Sequence, residues 1–224
     1  ISTFAQKNEL KTAEKAIKSS DYTNAVTAVL EAESLFANMD NKTKAKFYFL
    51  KAQAFYGKKE FQIATDTFEE LFNFENAIGK KKYSDQASEI KSQMVQEVFD
   101  LASKQYSSED FKNASTSFYL TYKLSPLDTV FVYNAAVSAT LAKDYDTSLE
   151  HYKELSDKGY TGISTLYFAT TKDTNLKEDL GSKSNRDLQI KLGLYKDPVD
   201  EQTESKSGDI IKNMAYILKD QGKT

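Results

Sequence analysis

The chain has 224 residues, 40% of them hydrophobic and 28% charged, with 30 Lys and Arg against 33 Asp and Glu for a net charge of −3. That balance belongs to a globular chain, and 8 Gly with 2 Pro are too few breakers for collagen or for a sandwich of many short strands. The absence of Cys excludes disulfides, thiolate zinc sites, iron–sulfur clusters and cysteine nucleophiles, and no run of about 18 apolar residues points to a membrane span.

Arg186 is the single arginine. Arginine is the preferred fork for phosphate and base edges, so this composition and the acidic balance argue against nucleic acid as a partner. Tyr and Phe number 14 each, with no Trp, a heavy aromatic load for a helical chain.

In chain order, Ile1-Ser2-Thr3-Phe4-Ala5 comes first. Thr3 and Ala5 are small residues separated by one position, as a signal-peptidase site requires. Residues 1–5 therefore read as a signal-peptide remnant, loosely attached, with mature protein from Gln6. The expected location is periplasmic or exported, with the cytoplasm as the alternative.

A repeat follows. An acidic residue, an aromatic, two variable residues and a small residue recur at Asp21-Tyr22…Ala25, Glu60-Phe61…Ala64, Asp110-Phe111…Ala114 and Asp144-Tyr145…Ser148. Twelve residues before each terminal small residue stands Ala13, Ala52, Ala102 or Ala136. The pattern predicts pairs of helices that cross at small residues. The acidic residue should cap the second helix and meet its positive dipole end, and the aromatic should plug the turn. The step from Ala to Ala is 39, 50 and then 34 residues. Extra residues near Asn76–Ser84 imply a longer loop and a lengthened helix from about Asp85 to Tyr106. A fifth copy is expected to begin around Ala215.

Between residues 161 and 208 the helical period is lost. Thr165 to Thr170 is rich in β-branched and aromatic residues, Lys172-Asp173-Thr174-Asn175 is turn-like, and Leu176 to Leu180 returns as a second strand. Leu166 and Phe168 are expected to face the fourth helical pair and Tyr167 to point away. A short helix is expected from Ser184 to Leu192, and a polar loop from Pro198 to Ser207.

Phe47-Tyr48…Ala52…Phe55…Phe61…Ala64…Phe68 and Tyr133-Asn134…Ala136…Tyr145…Ser148…Tyr152, with Leu124-Ser125-Pro126 closing a unit, resemble the tetratricopeptide repeat (TPR). The resemblance covers about residues 6–160 and resumes over 209–224. It implies an all-α, TPR-like helix–turn–helix solenoid with a small β-hairpin insertion. Its parts would be a leader remnant at 1–5, four helical hairpins over 6–160, the insertion at 161–208 and a truncated further unit at 209–224.

No residue set points to catalysis. His151 is the only histidine and reads as a packed polar residue rather than a base or ligand. There is no G-x-S-x-G elbow, P-loop or G-x-G-x-x-G, and no calcium-loop pattern, so neither a metal nor a cofactor is expected. Ser88…Lys91 lacks supporting motifs, and Lys80-Lys81-Lys82 reads as a solvated loop.

What remains is the concave face, which the first helices of a TPR array line. Positions three before and four after the recurring Ala give Leu10, Phe49, Phe99 and Tyr133, and Ile17, Tyr56, Tyr106 and Thr140. The expected ligand groove is an aromatic stripe of Phe49, Tyr56, Phe99, Tyr106 and Tyr133, continued by Tyr216. Rings offer large contact area at low entropy cost. The expected function is non-catalytic binding of a protein or peptide by an envelope scaffold, with a soluble carbohydrate-binding component of an uptake system as the alternative. The sequence does not give the oligomeric state.

Overall fold

The computed structural model describes residues 2–222, with side chains from residue 8 to 222. It divides into two compact units, Ile1–Asp144 and Tyr145–Thr224. The first holds α1 (Ser2–Lys18), α2 (Tyr22–Glu33), α3 (Asn41–Gly57), α4 (Phe61–Ala77), α5 (Ser84–Ser107), α6 (Phe111–Leu124) and α7 (Val130–Leu141). Sequential helices pack in adjacent pairs, α1 on α2, α3 on α4 and α5 on α6, with further contacts of α2 on α3, α4 on α5 and α6 on α7. This arrangement is compatible with a helical-repeat solenoid.

The spacing of small residues explains the pairing. Ala13, Ala25, Ala52, Ala64, Ala102 and Ala114, on these three pairs, are all fully buried, and Ala136 and Ser148 are buried too. A residue with only a Cβ or a hydroxyl at a helix crossing lets the backbones approach closely, and a larger one would hold them apart. Tyr22 reaches across to α3, where a Cβ on Gly57 would stand 2.1 Å from its ring.

The turns between paired helices are built alike. Ser20, Lys59, Glu109 and Lys143 have φ of 57°, 62°, 62° and 59°. The following amides, of Asp21, Glu60, Asp110 and Asp144, donate five residues back to Ala16, Phe55, Gln105 and Ala139 carbonyls at 2.8–2.9 Å. Each turn is thus a Schellman closure with a left-handed residue where glycine would be at ease. A Cβ in that conformation costs roughly 1–2 kcal/mol, partly offset by the greater unfolded-state freedom of glycine. Glu109→Gly and Lys143→Gly should each stabilise the chain by about 0.5–1 kcal/mol. A urea midpoint that falls for both would contradict this account of the turns.

The acidic residues do less capping than the pattern implies. Asp21 accepts from the Asn24 amide at 3.2 Å, but the side chains of Glu60 and Asp110 cap no amide. Their backbone carbonyls accept instead from Ala64 and Ala114. The expected loose attachment of the first residues also needs correction. Helix α1 starts at Ser2, so residues 2–5 extend it instead of forming a loose tail; Ile1 lies outside the described residues.

The second unit contains α8 (Tyr145–Asp157), β1 (Thr165–Thr171), β2 (Lys177–Asp179), α9 (Lys183–Lys191), β3 (Tyr195–Gln202) and α10 (Ser207–Asp220). The boundary between the two units falls at the turn that precedes α8. The sheet order is β2-β1-β3, antiparallel throughout. The expected hairpin is present, with Thr170 opposite Lys177 and Phe168 opposite Asp179.

The expected loop from Pro198 is instead the rest of a third strand. Phe168 pairs with Val199 and Thr170 with Lys196, so Asp197 and Pro198 together oppose Ala169. This two-against-one bulge, with Asp197 at φ 50°, lies on an edge strand, where a proline without an amide hydrogen is tolerated.

The covered face of β1 also differs from expectation. Leu166 and Phe168 do share a face, with the Lys177 ammonium 4.4 Å from the Phe168 ring centroid. But α9 packs on β1 and β3 over the other face: Ala169 is fully buried and the Arg186 guanidinium lies 5.4 Å from the Tyr167 ring centroid. Arg186 is 5% exposed, paired with Asp200 and, at 3.2 Å, with Asp187.

Helix α10 packs on α8, with Ile210 and Ile217 buried and the Asn213 amide donating to the Tyr152 hydroxyl at 2.9 Å. Ala215 is exposed. It lies outside that buried stripe and does not repeat the environment of the four earlier alanines.

Candidate functional site

The first helices of the first unit leave an open depression of about 520 Å³. Helix α1 contributes Glu14, Ile17 and Lys18, α3 contributes Lys46, Phe49, Leu50 and Gln53, and α5 contributes Gln86, Glu89 and Ile90. Tyr83, in the loop before α5, completes the lining. No residue of α2, α4 or α6 takes part, so this is the face of the first helices alone.

Its floor is aromatic. The Phe49 ring stacks on Tyr83 with centroids 4.8 Å apart and planes inclined by 18°. The wall is an ion cluster. Glu14 accepts from Lys46 Nζ at 2.6 Å and from Lys18 Nζ at 2.9 Å. Those two contacts, Lys46 first, hold its carboxyl down to about 2. Gln53 and Gln86 bring amide donors and acceptors able to pair with an extended backbone. The whole combines an apolar shelf with orienting polar groups and holds no nucleophile–base pair.

A second depression of about 610 Å³ shares Glu14, Lys46 and Tyr83 with the first and adds Leu10, Lys11, Asp40, Lys42, Thr43 and Lys82. The two are therefore continuous along α1 and α3.

Of the expected aromatic stripe, only Phe49 lines this groove. Tyr56 is tied to the next pair of helices: its hydroxyl donates to Glu97 Oε1 at 2.8 Å, while Lys59 Nζ sits 2.5 Å from Glu97 Oε2. Burial, then Glu97, pushes its phenol up to about 12. Phe99 packs against Phe131 at 5.6 Å and Phe118 at 6.2 Å, so Phe99→Ser removes packing and is not the mild change expected of a solvated ring. Tyr106 is 40% exposed, with its ring against Phe111 and Phe118. Tyr133 is half-buried on α7. Tyr216, 63% exposed, belongs to the second unit.

The missed residues carry a partial signal. Glu14 and Gln53 each stand one residue after a recurring Ala, so that position faces the groove in both units. Tyr83 and Lys82 lie in a loop that the repeat register does not reach. His151 is buried within α8. No helix among the described residues is long and apolar enough to cross a membrane. Compared with models of known protein families and with curated protein sequences, the chain matches none.

Proposed function

We propose that the chain is a non-catalytic TPR-type scaffold of the bacterial cell envelope that holds a protein or peptide segment in the groove of α1, α3 and α5. The observation carrying this reading is the continuous depression lined by first helices, with a stacked Phe49–Tyr83 floor and the side chains of Gln53 and Gln86 in its lining. The repeated Schellman turns and the buried small pairs support the TPR assignment, and Thr3 with Ala5 support export.

Selection of displayed random peptides on the immobilised chain should yield sequences that bind saturably. Gln86→Trp, at an exposed groove position, should weaken them by roughly tenfold or more by filling the depression. Peptides that bind Gln86→Trp as tightly as wild type, or a chain that takes glycans and no peptide, would overturn the proposal.

A further inference from the structure

The lysine run that the sequence leaves as a solvated loop is built into a cleft. Glu75, on α4, is fully buried. Its carboxylate accepts from the amides of Lys82, Tyr83 and Ser84 at 3.0 Å each and from the Ser84 hydroxyl at 2.6 Å. Four bonds to one buried group fix the path of the loop, so the lysines it carries are preorganised.

Lys80 and Lys82 then face Lys42 at the start of α3 across a depression of about 570 Å³. This depression shares Asp40, Lys42 and Lys82 with the groove described above, where Lys11 adds a further cation. Lys11, Lys42, Lys80 and Lys82 are exposed, and none forms an ion pair among the described residues. The carboxylates alongside, Asp40 and Glu75, are outnumbered by Lys42, Lys80 and Lys82. Glu75 serves the loop, Glu14 holds Lys46 and Lys18, and Asp40 accepts from the Thr43 amide at 2.7 Å. The result is an excess of positive charge on a chain of net charge −3. The cleft opens onto the aromatic shelf through Lys82, whose ammonium lies 5.0 Å from the Tyr83 ring centroid.

We infer that this lysine cleft receives side-chain carboxylates of an acidic protein segment, with a neighbouring apolar residue of that segment in the adjoining depression beside Ile17, Tyr83 and Ile90. The inference rests on the proposed peptide-binding reading of the groove and names its ligand class. Compact ammonium groups without an arginine fork suit separate carboxylates better than bidentate phosphate, and complementary charge here sets selectivity and encounter rate.

The test uses the full chain and two fluorescein-labelled hexapeptides, Asp-Glu-Leu-Phe-Asp-Glu and its neutral isostere Asn-Gln-Leu-Phe-Asn-Gln, followed by anisotropy. The acidic peptide should bind roughly tenfold tighter or better, with the advantage shrinking as salt rises from about 50 mM to about 500 mM. Lys42→Glu with Lys82→Glu should abolish the preference at an unchanged thermal midpoint, and Lys42→Arg with Lys82→Arg should retain it. Equal affinity for the two peptides would overturn the inference while leaving the groove reading intact. Binding of neither at about 1 mM would overturn both. A heparin tetrasaccharide that binds tighter than the acidic peptide would replace the acidic segment by an anionic glycan.

Discussion

Glu75→Ala should destabilise the first unit by about 3 kcal/mol, the largest effect expected of any single substitution discussed here. The side chain is fully buried and satisfies three backbone amides and a hydroxyl at the start of α5. A helix start needs its free N–H groups met, and α5 has no capping bond from the side chain of Tyr83, the residue before it. Glu75 supplies the cap from another helix. Its removal leaves amides facing a void, and Glu75→Gln leaves an NH₂ facing other donors.

The pH dependence follows in sign. Burial pushes the Glu75 carboxyl up, but the Ser84 hydroxyl and the three amides together outweigh it, and the group ends below the usual carboxylate value of 4.5. A carboxyl whose folded pKa is depressed contributes stability above its unfolded pKa and loses it as pH falls through the folded value. Glu14, held to about 2 by Lys46 and Lys18, acts in the same direction. Wild type should therefore lose urea resistance below about pH 4.5, and Glu75→Ala should show a shallower loss from a lower start. A Glu75→Ala midpoint equal to wild type at pH 7 would contradict the role given to this carboxylate.

Ala102→Leu and Ala114→Leu should each cost about 1–3 kcal/mol by overpacking the crossing of α5 and α6. Both alanines are fully buried in one cluster with Phe118 and Ala135, so extra methyl groups must displace a ring or part the helices. The two substitutions share a crossing, so their costs should not add. Ala215→Leu is the matched control, since Ala215 is exposed and its change should stay within about 0.5 kcal/mol. Thermal midpoints of the three variants check this. An Ala215 variant as damaged as the other two would break the distinction between the packed alanines and this one.

These two results concern features of unequal visibility in the sequence. The alanines at a 12-residue interval could be read because a helix crossing imposes a small residue on both partners at fixed separation, and all eight positions are buried. Glu75 could not be read. Its role depends on where a loop of irregular length returns, and no local pattern encodes that. Strand β3 escaped for a different reason. Pro198 and the charged residues around it suppress the alternation that marks a strand, and the bulge at Asp197 breaks what remains of the period. The covered face of the sheet was misassigned because burial was judged by apolar residues, whereas α9 turns Arg186 inward and leaves Leu188 and Leu192 exposed.

In the groove, Phe49 is the residue of the expected stripe that lines the depression. A ring on a first helix can face the concave side or bridge to the next helical pair, and both fates share the same helical spacing. Phe99 and Tyr56 bridge, Phe49 forms the floor, and only neighbours distant in sequence decide between them.

Peptide-induced shifts in the ¹H–¹⁵N spectrum of the full chain test the central claim most directly. With a display-selected peptide, perturbations should cluster on the side-chain amides of Gln53 and Gln86 and on the backbone of Lys46, Tyr83 and Ile90, the residues lining the first-helix groove. Perturbations confined to α2 and α4, or to the sheet and α9 of the second unit, would contradict it.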